Sequence, residues 1–291
     1  MRLLQPATVD DVLDLLVRHR GLAQLVGGGC HLIRVWRASR DYPSVAIDLS
    51  RVEALNFAYV ADDELHLGPA SSLSALLEFS PLIGHAPLLA ACLRRIGTPQ
   101  VRNRATLAGC LLASHSSEAL VALAALGARM TVRRKSAHRA IAIDAYAHSP
   151  ARHALRPDEL VTDITVPPQQ EGRAWFYQRF PQTTVLANPD LSLACCSRQS
   201  PTGMLQFSVF FALPRIGAIG METAAAELAG GRIAADTISS AVQAARKQAR
   251  AAIGGNPADR RWADAAADIF GRELYALMPA LQSAASSQSS P

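Results

Sequence analysis

The sequence predicts a chain of mixed helices and strands folded into two or three packed units. Three observations carry this expectation. The chain has 291 residues, too long for one small core, and at that size about three-quarters of the unfolded surface is buried without a disulfide or metal staple. Helix-period and strand-period apolar patterns follow one another along most of the length. The texture changes after Pro167-Pro168, which places a boundary near residues 167–173.

The elements follow in order. Thr8 with Asp11 three positions on resembles a capping box, and Val9, Val12, Leu13, Leu16 and Val17 form a helical stripe that Gly21 ends. Residues 22–26 read as a buried strand entering Gly27-Gly28-Gly29, residues 33–40 show no helical stripe, and 45–49 form a second strand. Residues 56–68 suggest a hairpin with Asp62-Asp63 at its turn. Residues 72–79 and 88–96 are amphipathic helices, 105–117 a loop of small residues, and 119–128 an apolar helix. Residues 130–133, 140–143 and 160–166 read as strands. Beyond the boundary come a strand at 207–213, helices at 223–229, 233–253 and 262–278, and a polar tail from 283 that reads as disordered.

Composition excludes several classes. Lys and Arg total 29 against 24 acidic residues, giving +5, and all the Lys/Arg cations except Lys135 and Lys247 are arginines. A nucleic-acid binder clusters such charge and interleaves aromatics; here there are only Arg133-Arg134-Lys135 and the scattered Arg94, Arg95, Arg102 and Arg104, with aromatics at 5%. The five cysteines are odd in number and contain no C-x-x-C, so they form neither a disulfide framework nor an iron–sulfur or structural zinc site. Neither a signal peptide nor an 18-residue apolar run is visible, and the expectation is a soluble, cytoplasmic protein without membrane insertion.

The glycine run is not a dinucleotide fingerprint, because Gly27 and Gly29 fill the first two positions of G-x-G-x-x-G but Leu32 occupies the third. A concave turn of unobstructed amides nevertheless suits a pyrophosphate. A tight strand-to-loop turn is the plain alternative.

A second segment changes the balance. Ile96-Gly97-Thr98-Pro99-Gln100-Val101-Arg102-Asn103-Arg104-Ala105-Thr106-Leu107-Ala108-Gly109-Cys110, read with Leu25-Val26-Gly27-Gly28-Gly29-Cys30-His31-Leu32, resembles the two cofactor loops of the FAD-binding medium subunits of molybdenum hydroxylases, the xanthine dehydrogenase and carbon monoxide dehydrogenase family. Ile47-Asp48-Leu49, Leu67-Gly68-Pro69-Ala70, Ala124-Ala125-Leu126-Gly127-Ala128, Asp158-Glu159-Leu160, Asp190 and Asp259-Arg260-Arg261 match in the same order. The resemblance implies an α+β, vanillyl-alcohol-oxidase-like FAD-binding fold. Its two subdomains would occupy residues 1–55 and 56–169, with a C-terminal α+β domain at 170–282. It also implies a flavoprotein subunit that receives electrons from a 2Fe–2S small subunit, beside a molybdopterin large subunit, and passes them through FAD to NAD+, a quinone or O2. The cofactor-binding residues it implies are Leu25, Val26, Gly27, Gly28, Gly29, Cys30 and His31 on the first loop. Thr106, Leu107, Ala108, Gly109 and Cys110 lie on the second, with Glu118, Leu160 and Gln178 as lesser contacts.

Several positions depart from the family pattern. Cys30-His31 replaces Thr-Asp, Ala108-Gly109-Cys110 replaces Gly-Gly-Asn/Ser, Glu118 replaces Asp, and Gln178 stands where a lysine is common. They leave a second reading open, a flavin-free assembly subunit with drifted loops. Residues 132–138 and 149–156 are candidate docking loops under either reading. Cys30, His31, Cys110 and His115 contain the residue types of a zinc site without its spacing. Ser114, His115 and Glu118 contain those of a hydrolase triad, but Ser116 or Ser117 as a helix cap is the simpler assignment. Cys195-Cys196 reads as core.

Overall fold

The computed structural model describes residues 1–114, 117–148, 154–169, 173–181, 189–200, 204–214, 216–230, 233–254 and 257–286. The first unit contains β1 (Arg2–Leu4), α1 (Val9–His19), β2 (Ala23–Val26), α2 (Leu32–Ser39) and β3 (Val45–Asp48). Its strands form a parallel sheet in the order β1-β3-β2. Val12, Leu13 and Leu16 of α1 pack on Val45 and Ile47, and Thr8 Oγ1 caps the helix by accepting from the Asp11 amide at 3.1 Å. Helix α2 falls where no helix was expected. It buries only Trp36, whose indole N–H donates to Gln24 Oε1 at 2.8 Å, while Ile33 and Val35 stay exposed; Leu32, Val35 and Trp36, at i, i+3 and i+4, are helix-spaced apolar positions that the expectation passed over.

The second unit contains β4 (Ala58–Ala61), β5 (Glu64–Leu67), α3 (Leu73–Glu78), α4 (Pro81–His85), α5 (Pro87–Arg95), α6 (Pro99–Arg102), α7 (Leu107–Leu112), α8 (Glu118–Ala125), β6 (Arg129–Arg134), β7 (Ala137–Ala142), α9 (Ile143–His148) and β8 (Leu160–Val166). The sheet is antiparallel, in the order β4-β5-β8-β6-β7. Asp62 and Asp63, at φ 51° and 60°, make the tight turn of the expected hairpin. Helix α7 occupies part of the segment expected to be a loop, because Thr106 Oγ1 caps it by accepting from the Gly109 amide at 3.2 Å. Of the two candidate docking loops, 132–138 is the β6–β7 hairpin, tied to α1 by Arg133 and Asp10 at 2.8 Å. The other lies partly outside the described residues.

The third unit contains β9 (Trp175–Pro181), β10 (Pro189–Gln199), β11 (Leu205–Leu213), β12 (Gly217–Gly220), α10 (Glu222–Glu227), α11 (Ala235–Ile253) and α12 (Pro257–Ser286). Its antiparallel sheet runs β12-β11-β10-β9. One face, with Phe176, Leu193, Cys195 and Phe211, packs on Ile238 and Phe270 of the helices. On the other, Tyr177, Ala194, Cys196 and Phe210 join the core built by Cys92, Leu120 and Leu123 of the second unit. The adjacent cysteines are therefore core, one on each face. Helix α12 continues to Ser286, beyond the expected 278 and into the stretch read as disordered, while 287–291 lie outside the described residues. Among the described residues, no helix is long and apolar enough to cross a membrane.

Candidate functional site

A cleft of about 710 Å³ receives residues from all three units. One end is made where β2 runs into Gly27, Gly28 and Gly29 against the segment that precedes α7. The two backbones touch. A Cβ on Gly28 would lie 1.6 Å from the Arg104 carbonyl oxygen, and one on Gly27 would lie 2.4 Å from Thr106 Oγ1, so any side chain here would force the loops apart.

The two loops contribute differently. The amides of Leu107 and Ala108 donate to the Ser71 and Pro69 carbonyls at 3.1 and 3.0 Å, and that of Cys110 to the Thr106 carbonyl at 2.9 Å. With the Gly109 amide spent on Thr106 Oγ1, residues 107–110 of the second loop have committed their amides within the protein. No backbone acceptor among the described residues takes the amides of Gly28, Gly29 or Cys30. The glycine turn thus offers the open N–H groups that an anion requires, and the second loop holds that turn in place. Ala108 lies within α7, in a right-handed conformation natural to alanine.

Cys110 lies in the cleft wall, where burial first, then Glu118 and Cys30, push its thiol up to about 12. It is a neutral thiol at physiological pH and packs as a small buried group. Burial and then Arg34 lower the His31 imidazole below its ordinary value. Cys30 is exposed, with Sγ 3.8 Å from the Gly28 carbonyl oxygen. Arg102 shapes the neighbouring turn through Nη1, which donates to the Gly97 carbonyl at 2.9 Å.

The cleft wall also holds a buried ion pair, on the Cys110 side. Ser117 caps α8, accepting from the Leu120 amide at 3.4 Å, and so places Glu118 in the first turn. Arg179 Nε lies 2.6 Å from Glu118 Oε1, and the Tyr177 hydroxyl donates to the same oxygen at 3.0 Å. The side chains of Arg179 and Glu118 are 8% and 9% exposed. Burial raises the Glu118 carboxyl above its ordinary value, although Arg179 and Tyr177 pull it back. Beside Leu160, Glu159 pairs with Arg139 at 2.8 Å, and this pairing outweighs burial and holds the carboxyl low.

Among the residues expected at the site, Leu25, Gly27, Gly28, Gly29, Cys30, His31, Thr106, Ala108, Gly109, Cys110, Glu118 and Leu160 line the cleft. Three do not. Val26 and Leu107 are buried behind their loops in hydrophobic clusters. Gln178 points away and accepts from Arg95 Nη1 at 3.0 Å, leaving Arg179 as the residue of β9 that reaches the cleft. Strand parity carries the signal that was missed, since Tyr177 faces α8 and Arg179, two residues on, faces the same way. Ile96, Gly97, Val35 and Glu159 also line the cleft without having been singled out for it. His115 and Ser116 lie outside the described residues, so the zinc and triad arrangements that include His115 have no described geometry. Among the described residues, no three His, Cys, Asp or Glu side chains group as metal ligands.

Comparisons with known proteins bear on the family and the fold. The nicotine 6-hydroxylase medium subunit of Paenarthrobacter nicotinovorans is 31% identical over 181 residues, covering 62% of this chain and 63% of that protein. The carbon monoxide dehydrogenase medium chain of Hydrogenophaga pseudoflava is 26% identical over 181 residues, again 62% and 63%. The chain therefore matches somewhat less than two-thirds of the length of these relatives. A solved structure of carbon monoxide dehydrogenase from Hydrogenophaga pseudoflava, lacking the Mo-pyranopterin moiety of the molybdenum cofactor, superposes with a TM-score of 0.84. It covers 98% of both chains at 20% identity, and shows the shared α+β fold. Residues 1–169 match the family described as the FAD binding domain in molybdopterin dehydrogenase. With more than half its length matched, including both loops of the cleft, the chain belongs to this family of FAD-binding domains.

Proposed function

We propose that the chain is the flavoprotein subunit of a cytoplasmic three-subunit molybdenum hydroxylase. It would take electrons from a 2Fe–2S small subunit that stands beside a molybdopterin large subunit, and deliver them through FAD to NAD+, a quinone or O2. The observation that carries the reading is the packing of the glycine turn against residues 104–106, where a Cβ at Gly28 would strike the Arg104 carbonyl at 1.6 Å and where the turn keeps its amides open. That cradle fits a pyrophosphate. Gly27 to His31 would hold it, Thr106 to Cys110 would buttress them, and Ile96 and Leu160 would supply apolar walls. Bound there, the flavin supplies the exchange between one-electron and two-electron carriers, while the protein binds and orients it. The three sheets support division into the two FAD-binding subdomains and a C-terminal domain, at 1–55, 56–169 and 170–282.

The test is a visible spectrum of the purified chain before and after incubation with FAD, with released flavin quantified, followed by capture of the iron–sulfur and molybdopterin subunits expressed with it. Absorbance at about 450 nm, about one flavin per chain, and co-purification of both subunits are expected. A chain that stays colourless in excess FAD yet still captures the subunits would instead be an assembly subunit, its cradle lost to the changes at Cys30, His31 and Cys110.

A further inference from the structure

Glu118, Arg179 and Tyr177 form a buried cluster that the anion cradle does not require. Glu118 and Arg179 line the cleft, joined at 2.6 Å and both less than a tenth exposed. With the carboxylate ionised the pair is neutral, the arrangement that a poorly solvated site favours. Reducing a flavin in the same cleft adds negative charge, which sets two anions against one cation. Like charge strengthens a carboxylate's hold on a proton, and desolvation acts in the same direction.

We propose that Glu118 takes up a proton from solvent when the FAD held in this cleft is reduced, leaving Arg179 to balance the charge of the reduced flavin. Two electrons, delivered singly by an iron–sulfur donor, and one proton go to the flavin; a second proton converts the Glu118 carboxylate to the acid. Both protons leave on reoxidation, and no other bond changes.

The groups facing Glu118 support this assignment. From β9 come Arg179 and Tyr177, from α5 Cys92, and from α7 Cys110; Arg95 lies 5.9 Å from the centre of the Tyr177 ring. Burial, reinforced by Glu118, pushes the Cys92, Cys110 and Tyr177 groups up, so they stay protonated at neutral pH. Arginine keeps its charge throughout. Glu118 is therefore the member of this cluster whose ionised form can accept the proton.

The experiment is a spectroelectrochemical titration of the flavin-loaded full chain from pH 5.5 to 8.5, for the wild type, Glu118→Gln and Tyr177→Phe. Over part of that range the wild-type potential is expected to fall more steeply than that of Glu118→Gln, by up to about 30 mV per pH unit, the value for one extra proton per two electrons. Tyr177→Phe removes a hydrogen bond that favours the carboxylate, so its steep region should move to higher pH. Parallel lines for the wild type and Glu118→Gln overturn the proposal. If Glu118→Gln loses its flavin, a steep region unmoved in Tyr177→Phe does the same. The inference rests on the functional reading above. A colourless chain defeats that reading, whereas a flavin-loaded chain with parallel slopes defeats the proton uptake alone.

Discussion

At Gly28 the atom in the way of a side chain is backbone. The Arg104 carbonyl sits 1.6 Å from where a Cβ would stand, and it cannot swing aside as the end of a flexible side chain could. Gly28→Ala must therefore separate the two loops, an overpacking strain that typically costs about 1–3 kcal/mol. A thermal melt should shift down by several degrees, at roughly 2–4 °C per kcal/mol, and flavin content should fall steeply. Gly84→Ala is the control, because its Cβ would meet nothing within 4 Å inside α4. It should be neutral or stabilise by up to about 1 kcal/mol. Equal melts and equal flavin content in the two variants would disprove the contact. The glycines were legible as a backbone requirement. Which residue of β9 enters the cleft was not, because motif alignment places Gln178 at a position whose side chain the strand's alternation turns away.

Elements meet through a second charged contact. His148 at the end of α9 pairs through Nε2 with Glu222 Oε1 at the start of α10, and Gln248 of α11 donates to Glu222 Oε2 at 3.2 Å. Burial lowers the His148 imidazole, but its Nδ1–H bond to the Asp144 carbonyl and the Glu222 carboxylate outweigh this and raise it above its ordinary value. Burial raises Glu222, yet the His148 contact holds it lower. A raised histidine contributes stability that is complete below 6.5 and fades as pH climbs through the folded value. A lowered glutamate contributes stability that is complete above 4.5 and fades as pH falls through the folded value. Both contributions are thus full between 4.5 and 6.5. The side chains are 40% and 60% exposed, so solvent screening limits the pair to at most about 1 kcal/mol. The melting-temperature gap between wild type and His148→Gln should be widest near pH 5.5, and should shrink toward pH 8.5 and in high salt. A gap constant with pH would remove the pair from the account. Neither α9 nor α10 announces this contact in sequence, since it joins short elements 74 positions apart. Helices α2 and α7 were hidden for a local reason: both are short, so Leu32, Val35 and Trp36 in one and the buried pair Leu107 and Leu111 in the other span a single turn of helix-spaced apolar positions, too little to stand out from a strand or a run of small residues.

For the molecule as a whole, the family match ends at residue 169 but the hydrophobic core does not. The change in texture after Pro167-Pro168 suggests a boundary near residues 167–173, and the resemblance carried the α+β architecture. Long-range packing between the units leaves no local pattern, and so could not be read. Tyr177, Ala194, Cys196, Phe210 and Ala212 of the C-terminal sheet are buried against Leu120, Leu123 and Cys92 of the FAD-binding half. Helix α8 is buried along its whole length by this arrangement, and Arg179 of β9 completes the cleft wall. Removing everything after residue 169 would expose that face and leave the Glu118 carboxyl without Arg179 or Tyr177. Exposed apolar surface of this kind costs about 25 cal/mol per Å² and favours association. A fragment of residues 1–169 should therefore aggregate or melt well below the full chain, and retain FAD poorly, whereas the full chain should lose both halves in a single cooperative transition. The check is calorimetry of the fragment and the full chain, with flavin release followed by fluorescence. A soluble fragment melting at the full-chain temperature would show that the shared core contributes nothing to stability, and that the FAD-binding half stands alone.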